Sequence, residues 1–266
     1  MKRFDLHVHT EATSPYMQGD AQLETYHDHG AQRQLDFMGI SDHYHYFWQD
    51  TRFVQAQRAH LNAHAYVNPR LFLGVEQTIL SKNGRIGIRN SGRKVLDYMI
   101  LAIHWMPVGG RLSYNVMVKI LKSQGKTAKL LEIAKQFYRN AVLNPKLSRL
   151  PKIIGHPFNF VVGGHESVPA VHDAIDWLCK FISEEHVAFE INRDSIPRNP
   201  AIIDAHVDKY WKLLSDAVNS YHVMLTLGTD AHHLDAIGCI DPMLDFVEKY
   251  KIDKTLLVDE SFFSKI

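Results

Sequence analysis

The sequence predicts an α/β protein in which short parallel strands alternate with helices. Seven short apolar runs recur along the chain, and segments of helical period lie between them. No internal repeat, low-complexity tract or Pro/Gly/Ser linker interrupts the alternation. Such a pattern reads as βα units, closed as a barrel or open as a wound sheet. At 266 residues the chain is long for an ordinary domain but normal for one α/β barrel, so a single domain over 1–266 is expected.

Each expected strand runs into a polar group that can bind a metal or a substrate. Phe4–Val8 leads into His7-Val8-His9, and Phe37–Ile40 into Ser41-Asp42-His43. Leu71–Val75 is followed by Glu76, and Tyr98–Ile103 by His104. Lys152–Ile154 leads into Gly155-His156-Pro157, and Val187–Ile191 contains Glu190 and precedes Asn192. Val223–Leu227 leads into Gly228-Thr229-Asp230-Ala231-His232-His233. The helical segments carry apolar stripes: Leu130, Ala134, Phe137 and Ala141; Val171, Ile175, Leu178 and Ile182; Ile203, Val207, Tyr210 and Leu214. These are core faces rather than cofactor boxes.

In a parallel barrel the C-terminal strand ends share one rim, where active sites are built. Surface histidines would have no reason to follow strand phase. Taken singly, each residue has a bland reading. Two like-facing histidines on a strand occur by chance, and a carboxylate closing an apolar run can be satisfied by a salt bridge or a helix N-terminus. Six histidines and two carboxylates on one rim point instead to a multinuclear metal site.

Composition narrows the class. Hydrophobic residues make up 45% and charged residues 22%, as in a soluble globular enzyme. No stretch approaches the ~20 apolar residues of a membrane span. The start, "MKRFDLHVHT", lacks the apolar core of a signal peptide. Cys179 and Cys239 both lie in apolar surroundings, which predicts buried free thiols and a cytoplasmic protein. The net charge is +1, unevenly spread: Arg111 to Lys152 holds ten Lys/Arg against Glu132 alone. That block suits either an anionic partner or a solvated helix face.

The motifs "DLHVHT", "GISDH", "GVE", "AIH", "IGHP", "EIN" and "GTDAH" occur in the order found in the PHP (polymerase and histidinol phosphatase) metallohydrolases, and the chain resembles that family from Asp5 to about Gly238. The resemblance implies a distorted seven-stranded (β/α) TIM-like barrel with two or three divalent ions, Zn, Mn or Fe. It implies that His7, His9, Glu76 and Asp230 hold one ion. Glu76 would bridge to a second, held also by His104 and His156, and His43 and His232 would hold a third. Many members add a ligand from the loop after the first motif. Here that loop is "EATSPYMQGD", with Asp20 as the candidate and Glu11 behind it. The stretch of about 105–150 is longer than in compact relatives and is expected to be a helical basic insertion.

Asp230, Glu76 and His232 are expected to carry catalysis, with a metal-bridging hydroxide as nucleophile. Asp5 and Asp42 could orient ligand histidines. A phosphate also needs fixed cations. Arg198 in "SIPRNP" is preferred over Arg193, which follows "EIN" directly, and Lys82, Arg85 and Arg89 have less support. The leading expectation is hydrolysis of a small phosphorylated metabolite, histidinol phosphate among them. A nuclease or nucleotide phosphatase is the alternative that the basic block motivates. A non-catalytic metal-stabilised binding module is the alternative of another class, and the full ligand set argues against it.

Overall fold

The computed structural model describes residues 2–10, 22–45, 51–104, 126–157, 168–196 and 205–264. The strands are β1 (Phe4–Val8), β2 (Phe37–Ile40), β3 (His43–Tyr44), β4 (Arg70–Leu73), β5 (Glu76–Thr78), β6 (Met99–Ala102), β7 (Lys152–Ile154), β8 (Ala188–Asn192) and β9 (Leu225–Gly228), mostly short apolar runs, with β3 and β5 as short polar continuations. All pairings are parallel, in one sheet of order β1-β2-β4 and another of order β3-β5-β6-β7-β8-β9.

The two sheets are parts of one path. β2 and β3 are separated only by Ser41 and Asp42, and β4 and β5 only by Gly74 and Val75. Ile100 N donates to Val75 O across the second break at 2.9 Å, and Glu76 N donates to Asp42 O at 3.0 Å. Seven strand paths result, in an α/β, TIM-like arrangement. The last meets the first: His9 N donates to Ala231 O at 3.0 Å and Ala231 N to His7 O at 3.3 Å. The expected strand Leu71–Val75 therefore stops at Leu73, where β4 pairs with β2, and the path resumes after Val75 as β5, which pairs with β3. Interruptions of this kind bend a sheet and re-aim the side chains beyond them.

The helices are α1 (Leu23–Gln32), α2 (Arg52–Ala63), α3 (Asn90–Arg93), α4 (Thr127–Val142), α5 (Val168–Glu184), α6 (Ala205–Tyr221) and α7 (Asp241–Lys249). The stripe Leu130, Ala134, Phe137 and Ala141 is the buried face of α4, and Val171, Ile175, Leu178 and Ile182 are buried on α5. On α6, Tyr210 and Leu214 are buried, while Ile203 lies outside the described residues. Burying each large apolar side chain contributes about 1.5–3 kcal/mol. Inside the barrel, the fully buried Tyr98 donates its hydroxyl to Leu6 O at 2.7 Å. Gly39 makes room for it, since a Cβ there would lie 2.1 Å from the hydroxyl oxygen.

Two expectations need adjustment. Cys179 is buried as expected, but Cys239 is only half-buried, with Sγ 3.3 Å from Asp235 O; both are free thiols. Lys152 belongs to the fold rather than to a basic face, because Nζ donates to Leu147 O at 3.1 Å and Leu150 O at 3.2 Å. The basic block before Lys126 lies outside the described residues. Among the described residues no helix is long and apolar enough to cross a membrane.

Candidate metal centre

Strand phase sets the site. His7, on β1, and His9, just after it, turn their Nε2 atoms to the same Glu76 Oε2, and both are fully buried. His43 opens β3, Glu76 opens β5, and His104 and His156 follow β6 and β7 by two residues. Asp230 and His232 stand just beyond β9.

Glu76 is the centre of the cluster. Its Oε2 lies 3.5 Å from His7 Nε2, 3.6 Å from His9 Nε2 and 2.5 Å from His43 Nδ1. Its Oε1 lies 3.0 Å from His104 Nε2 and 2.7 Å from His156 Nε2. Asp230 Oδ1 closes the first side, 2.9 Å from His9 Nε2 and 3.4 Å from His7 Nε2. His232 Nε2 is 3.4 Å from His43 Nε2, and its ring lies 4.3 Å from that of His9. Three groups are close enough to share an ion: His7, His9, Glu76 and Asp230; His43, Glu76 and His104; His9, His43 and His232. His43 thus stands beside both His104 and His232.

The inward nitrogens are selected by what holds the outward ones. His7 Nδ1 lies 2.6 Å from Glu190 Oε1, His104 Nδ1 is 2.8 Å from Thr78 Oγ1, and His232 Nδ1 is 2.8 Å from Asp230 O. A proton on each Nδ1 leaves the Nε2 lone pair facing the cluster. Glu190 does more than this. Its Oε2 accepts from His156 N at 2.6 Å and from Asn192 Nδ2 at 3.3 Å. Gly228 permits the arrangement, since a Cβ there would lie 2.1 Å from Glu190 Oε1 and 2.7 Å from His7 Cβ. Glu190 was visible in the sequence as a polar strand residue, but its role depends on His7, far away along the chain. Replacing it by Gln puts an amide N–H against at least one of these donors. Glu190→Gln should lower metal affinity or turnover by roughly 10–100-fold. Ion content and kcat measured together check this, and unchanged values for both would remove the role.

Asp5 and Asp42 hold backbone. Asp5 accepts from Thr229 Oγ1 at 2.5 Å, and from the N–H groups of Thr229 and Gly238 at 3.0 Å and His7 at 3.2 Å. Asp42 accepts from Thr10 N and Oγ1, both at 2.5 Å, and from Gln57 Nε2 at 2.7 Å. They brace the chain beside His9, His43 and Asp230.

Two groups of the cluster sit on strained backbone: φ is +30° at His156 and +55° at Asp230. Non-glycine residues in this region cost on the order of 1–3 kcal/mol and gather at functional sites. The donor chemistry fits a cation. His7 Nε2 is sealed from solvent and makes no hydrogen bond among the described residues, and the sealed Glu76 Oε2 is faced by imidazole nitrogens of His7, His9 and His43. Among His7, His9, Glu76 and Asp230, three separations of 3.4–3.6 Å match the edge, about 3.4 Å, of a tetrahedron with metal–ligand bonds of about 2.1 Å, and His9 to Asp230 is shorter at 2.9 Å. Imidazole with carboxylate suits Zn, Mn or Fe.

A family model for the PHP domain matches residues 5–194. The chain belongs to the PHP domain family. That makes it a phosphoesterase, a hydrolase by class. Its fold is shared with a histidinol phosphate phosphatase from Lactococcus lactis subsp. lactis, solved in complex with zinc, L-histidinol and phosphate. The two are 14% identical with a TM-score of 0.66, over 97% of this chain and 99% of that one. A putative histidinol phosphatase from Listeria monocytogenes is also 14% identical, with a TM-score of 0.56 over 91% and 99% of the two chains. No curated protein matches the chain.

The electrostatics of this PHP centre follow from packing imidazoles around carboxylates. Burial lowers the pKa of His7, but Glu190, Asp230 and Glu76 outweigh it and raise the group well above its ordinary value. Burial raises Glu76, yet His104, His43 and His7 hold it well below the usual carboxylate range. Asp230 is likewise depressed against its burial, by His7 and His9 above all. His9 falls to about 4, from burial first. His156 is pushed up to about 9, its burial outweighed by Glu76. Below about 9 the metal-free protein therefore carries a proton on His156 that a cation must displace. Loading near neutral pH should release protons, and affinity should rise with pH until about 9. Calorimetric titrations in two buffers of different ionisation enthalpy measure the release. No release near neutral pH would contradict the assignment.

His45 belongs beside the PHP cluster, outside the motifs that mark its other members. Its ring stacks on His43 at 4.5 Å, and its Nδ1 lies 2.8 Å from the same Thr78 Oγ1 that meets His104. The signal was present: His43-x-His45 repeats the spacing of His7-x-His9. Asp20, Glu11 and Arg198 lie outside the described residues. Arg193 directly follows β8, half-buried, with its N–H bonded to Gly228 O at 2.9 Å. Arg85 and Arg89 line a separate surface cavity of about 440 Å³ with Arg93, Asn144 and Lys146.

Proposed function

We propose that this PHP-domain chain is a metal-dependent phosphomonoesterase acting on a small phosphorylated metabolite, with histidinol phosphate the first substrate to test. The whole chain, 1–266, is read as one PHP unit, because β9, Asp230 and His232 lie beyond the matched residues 5–194 and complete the sheet and the cluster. One observation carries the reading: the two oxygens of Glu76 face two different sets of histidines. A carboxylate so placed can bridge two cations.

In this reading His7, His9, Glu76 and Asp230 hold one divalent ion, Glu76, His104 and His156 a second, and His43, His232 and Asp20 a third. When bound, such ions supply Lewis acidity toward phosphate oxygens and a nucleophile at neutral pH. The chain's own residues set direction and order. His7, His9 and Glu76 are sealed, whereas the side chains of His43, His104, His156 and His232 are 13–29% exposed. Substrate therefore approaches from the side of those four. Glu190 and Thr78 keep the imidazoles aimed. Arg198, with Arg193 as the second candidate, is proposed to bind the phosphate as a fixed cation.

The experiment is a screen of phosphate monoesters, histidinol phosphate included, run with Zn, Mn or Fe and beside an ion count. Turnover of a monoester with two or three ions per chain is expected. Preferential cleavage of oligonucleotides would promote the nuclease reading. Bound ions without turnover of any ester would leave a binding module.

A further inference from the structure

A second cluster of metal-type ligands stands outside the barrel cluster and shares none of its residues. Glu24, in the first turn of α1, His60, in the last turn of α2, and His64, at the C-cap of α2, bring one ligand atom each within 4.8 Å of one another. Glu24 Oε1 is the common point: His60 Nε2 lies 3.0 Å from it and His64 Nε2 3.9 Å. These separations bracket the edge, about 3.3 Å, of a tetrahedral site with metal–ligand bonds near 2.0–2.1 Å.

The local structure favours a cation over a simple ion pair. His60 and His64 are four residues apart, so the helix places them on one face, with ring centroids 4.1 Å apart. His64 Nδ1 donates to His60 O at 2.9 Å, which fixes the tautomer and leaves the Nε2 lone pair toward Glu24. With its proton on Nδ1, His64 turns a lone pair and not a donor toward Glu24 Oε1 at 3.9 Å, an arrangement that a divalent ion between the two satisfies and an ion pair does not. Glu24 Oε2 is shut off from solvent, and the Tyr66 hydroxyl interacts with the Glu24 carboxylate. The Tyr66 hydroxyl, 2.7 Å from His60 Nε2, borders the cluster.

We propose that Glu24, His60 and His64 form a second, non-catalytic site for a zinc-type divalent ion, tying the start of α1 to the end of α2. Two imidazoles and one carboxylate are a zinc donor set. The His60 and Glu24 side chains are 29% and 45% exposed and that of His64 49%, so water completes the coordination. The proposal is independent of the hydrolytic reading, because none of its ligands belongs to the barrel cluster.

The test titrates the metal-loaded enzyme with Zn²⁺ alone and counts bound zinc per chain. The wild type should take up one more zinc than His60→Ala/His64→Ala, and its melting temperature should rise with zinc while that of the variant does not. Glu24→Gln, a gentler change, should weaken the extra uptake at least about tenfold, and monoester turnover should stay the same in all three. Equal uptake by wild type and double variant overturns the proposal. So does an extra ion that binds only above about 1 mM zinc, the affinity range of adventitious contacts. Anomalous scattering from zinc-soaked wild-type crystals gives a readout free of mutation. A peak bounded by Glu24, His60 and His64 is expected, and zinc on the barrel ligands alone refutes the site.

Discussion

Glu76→Gln is expected to lower turnover by more than about a thousand-fold and to leave the purified protein short of more than one ion per chain. The amide keeps the shape of the carboxylate but has only one acceptor oxygen. Whichever way it turns, its NH₂ group faces either His7, His9 and His43 or His104 and His156. One of the two ligand sets then loses its oxygen, and the shared negative charge is lost to both. Metal ions stabilise charge in the transition state by several kcal/mol, and each 1.36 kcal/mol is tenfold in rate. The fold should survive, since a buried neutral amide is easier to accommodate than a buried carboxylate. Elemental analysis, kcat and circular dichroism on the same preparation decide it. A folded variant with full ion content and near-normal turnover would show that the cluster is not the active site.

Asp230→Asn is expected to abolish turnover with less disturbance of the chain. Asp230 holds φ at +55°, a conformation that Asn tolerates as well as Asp, so the backbone beyond β9 should stay in place. What changes is the donor, because a neutral amide is a poor substitute for a charged oxygen 2.9 Å from His9 Nε2 and 3.4 Å from His7 Nε2. The ion beside His7 and His9 should be lost or bound weakly, while zinc uptake at Glu24, His60 and His64 is retained. Alanine at His60 or His64 serves as the control, since turnover there should be almost unchanged. If those variants lost as much activity as Asp230→Asn, strand-end position would not mark catalytic ligands in this chain.

Strand-end position is also what made the cluster readable. His7, His9, His43, Glu76, His104, His156, Asp230 and His232 each lie near the end of an apolar run or just after it. Parallel strands carry all their C-terminal ends to one rim. Alternation along a strand is a local property, and so is the helical stripe on α4 or α5; both survive in the one-dimensional pattern. The grouping within the cluster was less accessible. His43 meets Glu76 and His104 as well as His232 because β3 pairs with β5 beyond the break after β2, and nothing in the run Phe37–Ile40 announces that break.

The sequence by itself determined the α/β class, the alternation of strands with helices and which polar side chains lie at strand ends. All of these depend on periodicities of a few residues and on the direction of parallel strands. Only the tertiary structure decided which partner holds which ligand. Glu190 reaches His7 across 183 positions of chain, Thr78 serves both His104 and His45, and Gly228 leaves room for Glu190. Glu24 meets the histidines of α2 only where two helices pack. Such contacts are set by how the barrel closes and how its helices pack against it. Local sequence does not encode that distance, because the same run of residues forms the same strand whatever side chain closure later brings against it.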